Sequence, residues 1–151
     1  MKWVTRQNVR IDRVSSTWLI RTFIDPEAEI LFVPTEEVIA VAEREDGIPF
    51  DVPGVPMGHH GNECAFDAIL QKYGPLDDPA LEKLATVVRG ADTRRPDLTP
   101  QSPGMDALAH GFKAMMQAEG YDDEESIRRQ WHNYDALYLF LGGDPAKLRR
   151  P

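Results

Sequence analysis

Apolar positions along the chain fall into two spacings, and these divide it into a short N-terminal strand region and a longer helical region. Residues 2–6 alternate weakly, which predicts a short strand. Val14, Trp18, Leu19 and Phe23 share one helical stripe, and Asp25-Pro26 closes that segment. Glu29-Ile30-Leu31-Phe32-Val33 ends at Pro34 and reads as a buried strand. A helix is expected from Thr35, as its cap, to about Arg44, with Glu36 and Glu37 in the first turn. Seven Gly and Pro residues between 47 and 61 leave room for only a short strand near Ile48–Val52.

From Asn62 onward the period becomes helical. Asn62 is the expected N-cap of a helix carrying Phe66, Ile69, Leu70 and Tyr73, which Gly74-Pro75 stops. Asp78-Pro79 opens the next, with Leu81, Leu84, Ala85 and Val88 inward. Ser102-Pro103 opens a third, carrying Leu108, Phe112 and Met115 or Met116. The last runs from about Asp123 to Leu141 with Ile127, Trp131, Tyr134 and Tyr138 facing the core. The expectation is a single domain over residues 1–151, mainly helical α+β, with a small N-terminal sheet and roughly half the residues helical.

Composition narrows the partners. Twenty-five acidic residues against 17 Lys and Arg give a net charge of −8, which disfavours nucleic acid or an anionic membrane as the main partner. The basic residues are 12 Arg to 5 Lys, and Arg favours bidentate binding of carboxylates and oxyanions. One cysteine, Cys64, excludes an intrachain disulfide and a multi-thiolate zinc site. The longest apolar run, Ala136 to Leu141, is far short of the roughly 20 residues of a membrane helix. With no signal-peptide pattern at the start, a reducing cytoplasm is expected.

Chemistry concentrates in His59-His60-Gly61-Asn62-Glu63-Cys64-Ala65-Phe66-Asp67. Two imidazoles precede a helix start, and Glu63 and Asp67 stand at i, i+4. Imidazole with carboxylate suits iron, manganese or zinc. A plainer role fits the same residues: a dipole-matched Glu63, a core Cys64 and solvated histidines. Arg89-Gly90-Ala91-Asp92 reads first as a C-cap, with Gly90 left-handed, or else places Asp92 at a cleft. His132 and Asp135 are i, i+3 on the last helix; His132 and Arg128 read as exposed. Asp135 lies in an apolar stretch, where a carboxylate needs a partner. Asp12 reads as a cap. Arg13 and Arg21, about 80° apart around a helix, are candidates to line one cleft.

The series Trp3-Val4-Thr5-Arg6, Ile11-Asp12-Arg13, Trp18-Leu19-Ile20-Arg21, Phe23 to Ala28, Phe50 to Val55, the His59–Asp67 cluster, Val88 to Asp92 and Tyr134 to Tyr138, in that order, resembles the chromate-resistance (ChrB-type) C-terminal domain family. The resemblance runs from Trp3 to about Leu141. It implies an association with chromate resistance, in a domain found alone or joined to other modules such as a rhodanese-type sulfurtransferase. Longer relatives act as chromate-responsive regulators. With no preceding module, DNA binding by this chain alone is not expected.

Three functions follow. The first is a divalent metal site (iron, manganese or zinc), in a small redox or hydrolytic enzyme or a metal-binding protein. Its expected ligands are His59 or His60 with Glu63, Asp92 and Asp135. Arg13 and Arg21 would draw in an anionic substrate, and Cys64 completes the candidate catalytic set as a supporting residue rather than an obligatory nucleophile. The second is a non-catalytic chromate or sulfate binding or sensing module using Arg13, Arg21 and Arg89. The third is a docking partner of a sulfurtransferase or regulator, with a homodimer also compatible. The carboxylates favour the metal, since they repel an anion unless a cation intervenes. Occupancy is then expected to fall below about pH 6, near the ordinary histidine pKa.

Overall fold

Trp3 and Val4 are adjacent in sequence and belong to different parts of the core, the period-two alternation of a strand buried on both faces. In the computed structural model, which describes residues 1–148, strand β1 (Lys2–Arg6) is the centre of a parallel sheet, flanked by β2 (Glu29–Val33) and β3 (Ile48–Pro49). Trp3 pairs in register with Ile30 and Ile48. Parallel neighbours require crossovers. Helix α1 (Ile11–Leu19), extended by a π-helical turn over Ile20–Ile24, makes the first; α2 (Val38–Glu45) makes the second. Val4, Leu31 and Val33 meet Val38, Val41 and Ala42 of α2, while Trp3, Ile30 and Phe50 join the main core.

That main core is built around α1, every residue of which is buried. It packs against α3 (Ala65–Tyr73), α4 (Pro79–Asp92) and α6 (Asp123–Phe140). Trp18 lies fully buried among Phe23, Tyr134 and Tyr138, with ring centroids 5.5–6.1 Å away. With the π and 3-10 turns counted beside the six α-helices, 59% of the described residues are helical, so the architecture is the mainly helical α+β fold that the patterning predicts.

Several local expectations are corrected. Thr35 begins a 3-10 turn (Thr35–Glu37) and makes no side-chain cap. Asn62 is exposed, and the N-cap of α3 is Cys64, whose N–H donates to Asp67 (3.0 Å). Gly90 is not a C-cap: α4 continues to Asp92, and a Cβ at position 90 would lie 2.3 Å from Ser102 Oγ. Glycine there lets α5 (Ser102–Glu119) start directly against α4. In α5, Met105 and Ala109 are the buried apolar residues, while Leu108 and Met115 are exposed, because the helix packs chiefly through its N-terminal half. Among the described residues no helix is long and apolar enough to cross a membrane.

Candidate metal centre

Three carboxylates from three separate elements converge on one imidazole. His59 Nε2 stands 3.1 Å from Asp92 Oδ2, 3.4 Å from Asp12 Oδ2 and 3.4 Å from Asp51 Oδ1. Asp12 comes from the first turn of α1, Asp51 from the loop after β3, and Asp92 from the last turn of α4. His59 arrives on a loop that folds back tightly. Asp51, at φ +50°, donates its N–H to Met57 O (2.9 Å), and a Cβ at Gly58 would meet Val52 O at 2.8 Å. Only glycine fits immediately before the histidine.

Each carboxylate is held differently. Asp12 is buried and does not cap its own helix; it caps α3 from outside, accepting from Ala65 N–H (2.8 Å) and Phe66 N–H (2.9 Å). Asp51 turns Oδ2 to Arg13 (2.8 Å) and Arg6 (3.2 Å), leaving Oδ1 toward His59. Burial pushes Asp51 up, but the His59 hydrogen bond and the two guanidiniums outweigh it and hold the carboxyl below its ordinary range. Among the described residues Asp92 has only His59 as an ion-pair partner. Burial, then repulsion from Asp12 and Asp51, raises it to about 7. Its place at the C-terminal end of α4 adds an unfavourable dipole.

His59 answers this field. Hydrogen bonds to Asp12 and Asp51 raise its pKa to about 10 against a smaller lowering by burial. Yet a single Nε2–H cannot point at three oxygens at once. Two ligands each about 2.1 Å from one ion, at roughly 90–110° to one another, lie about 3.0–3.4 Å apart. The spacings around His59 match that separation, and the nearest donor atoms of Asp12, His59 and Asp92 all lie within 4.8 Å of one another. The group opens into a polar cavity of about 250 Å³ that Arg6, Arg10, Arg13 and Arg94 also line.

Of the residues expected at the site, His59, Asp92 and Arg13 come together here. The others do not join them. His60 is exposed and bonds Pro56 O through Nε2 (2.8 Å). Glu63 accepts from Gln71 (3.3 Å), and Asp135 accepts from the buried Trp18 indole (2.8 Å) and from His132 (3.1 Å). Arg21 lines a different cleft, in a bidentate pair with Glu124 (2.7 and 2.9 Å). The 80° estimate from Arg13 fails because Arg21 sits on the π turn. Burial, then Asp12 and Asp67, push the Cys64 thiol far up, so it is not a thiolate. Arg89 forks onto Asp67 (2.6 and 3.2 Å), fixing the start of α3. Asp12 and Asp51 were absent from the expected ligands. The signal for them was positional: each lies in one of the ordered motifs, beside Arg13 and inside Phe50 to Val55.

A family model for the ChrB C-terminal domain matches residues 3–141, and the chain belongs to that chromate-resistance family. Among curated proteins it is similar to Protein ChrB of Cupriavidus metallidurans strain CH34. Identity is 29% over 137 residues, covering 91% of this chain. The chain spans 40% of that relative's length. No solved structure matches it.

Proposed function

We propose that this chain is a metal-binding member of the ChrB C-terminal domain family. It would hold one divalent ion, iron, manganese or zinc, on Asp12, His59 and Asp92, with Asp51 facing the same point. The reading is supported above all by three carboxylate oxygens set 3.1–3.4 Å from one imidazole nitrogen, an arrangement one proton cannot satisfy and one ion can. It keeps His59 and Asp92 from the sequence-based ligand set and replaces His60, Glu63 and Asp135. Such an ion would act as a Lewis acid and lower the pKa of bound water, so a hydrolytic step on an anionic substrate is the chemistry that this part of the reading favours.

Elemental analysis of untagged, chelator-free protein tests this, together with melting curves after adding manganese, iron or zinc. At an ion concentration a hundredfold above Kd, binding adds about 2.7 kcal/mol of stability. His59→Ala or Asp92→Ala abolishes the shift, and His132→Ala, on the exposed face of α6, leaves it. Protein without stoichiometric metal whose melting temperature none of the three ions changes overturns the reading.

A further inference from the structure

Strand β2 stands at one end of the sheet and, among the described residues, pairs only with β1. Glu29 donates its N–H to Met1 O (3.0 Å), and Val33 O accepts from Gln7 N–H (2.9 Å). In a parallel ladder this alternation turns Glu29, Leu31 and Val33 toward β1 and the backbone groups of Ile30 and Phe32 outward. Those outward groups, two N–H and two C=O, have no hydrogen-bond partner among the described residues. All five residues of the strand line a groove of about 580 Å³. The free edge is therefore a row of donors and acceptors at strand spacing, which an extended chain can match.

The walls of the groove differ, and they select the occupant. On one face of the sheet Leu31 and Val33 pack with Val41 of α2, whose last turn adds Arg44 and Glu45 to the lining. On the other face Ile30 and Phe32 lead to the start of α6, where Asp122 and Glu124 are exposed. Arg44 is the only basic residue lining the groove among the described residues. Lys2 and Arg21 reach Glu45 and Glu124 from outside it, so five lining carboxylates still outnumber three bases. A second copy presenting the same edge would set acidic wall against acidic wall. That charge disfavours self-pairing and attracts a positively charged strand.

We propose that the open edge of β2 takes an extended segment of another protein as an added strand, and that this segment alternates basic with apolar residues. Lys or Arg side chains turn toward Asp122 and Glu124; apolar ones turn toward Leu31, Val33 and Val41. Alternation follows because successive side chains of a strand point to opposite faces. Main-chain hydrogen bonds hold the segment and the two walls choose it. This groove shares no lining residue with the His59 cavity, so the proposal stands apart from the metal reading.

The probes are labelled heptapeptides that alternate Lys or Arg with Val, Leu or Phe, with Glu replacing the base in a control set. Fluorescence anisotropy on the whole chain shows the basic set binding saturably, and about tenfold or more tighter than the acidic set. Amide hydrogen exchange slows about tenfold or more at Ile30 and Phe32 on saturation, while Leu31, already facing β1, is unchanged. N-methylating one alternate set of peptide amides, the set facing β2, weakens binding about 5- to 100-fold; methylating the other set does not. Asp122→Asn, which keeps an oxygen to cap α6, and Glu124→Gln each weaken the basic set about two- to fivefold. No binding by any basic peptide at about 1 mM overturns the proposal. So does equal binding of the acidic set, or binding that leaves Ile30 and Phe32 exchange unchanged. A dimer seen by light scattering that protects these two amides, and that the peptides fail to dissociate, makes a second copy the occupant and overturns it as well.

Discussion

Loading an ion onto His59 must expel a proton. The imidazole is raised to about 10 by Asp12 and Asp51, so at pH 7.5 nearly every metal-free molecule carries that proton, while Asp92, at about 7, is mostly ionised. Binding at Nε2 therefore releases about one proton per ion, and affinity rises about tenfold per pH unit between roughly pH 7 and 9.5. Competition with protons thus extends well above the pH 6 that an ordinary histidine implies. The metal-free protein shows the matching sign. His59 is raised by folding, so its contribution is complete below about 6.5 and is lost as pH climbs through 10; Asp92, raised from 3.8, costs stability as it ionises toward 7. Both effects make metal-free stability fall with rising pH, by no more than about 1.4 kcal/mol per unit for each proton. The His59 part is smaller still, because that side chain is 44% exposed and screened. Titration calorimetry in buffers of different ionisation enthalpy counts the protons, and urea melts from pH 6 to 9.5 give the slope. An ion that binds without releasing a proton removes His59 from the ligand set; metal-free stability that climbs over this range refutes the electrostatic argument.

Other substitutions separate scaffold from site. Asp135→Ala leaves the Trp18 indole N–H unpaired and costs about 1–3 kcal/mol in urea melts while metal content stays stoichiometric; loss of the ion would restore Asp135 as a ligand. Arg89→Ala strands the 3% exposed Asp67 and lowers stability by about 3–5 kcal/mol, more than Asp67→Asn does, because Arg89 can reach water. Cys64→Ala keeps metal occupancy by elemental analysis, since the thiol touches Asp67 and none of the three ligands. Gly90→Ala forces a methyl group against Ser102 and costs about 1–3 kcal/mol in thermal or urea unfolding.

What could be read in advance divides along sequence separation. Helices with a continuous apolar stripe were legible from spacing alone, as with Leu81, Leu84, Ala85 and Val88 on α4, because the pattern and the packing share one period. The start of α3 was not: its orphan N–H groups are taken by Asp12, 53 residues away, and no local rule points to a cap supplied from another helix. The site follows the same division. His59, Asp92 and Arg13 stood out as polar groups at the ends of elements. His60, Glu63 and Asp135 carry the same chemistry but have satisfied it with Pro56, Gln71 and Trp18. Asp12 was legible as a cap but assigned to the wrong helix, and its second role follows from the correction. Both oxygens close α3, and Oδ2, which accepts from Ala65 N–H, also faces His59, so the contact that docks α1 against α3 also sets the spacing of the candidate ligands. Asp12→Asn would then loosen the α3 cap and weaken the proposed ion site together, whereas Asp92→Asn, which caps nothing, would separate binding from folding.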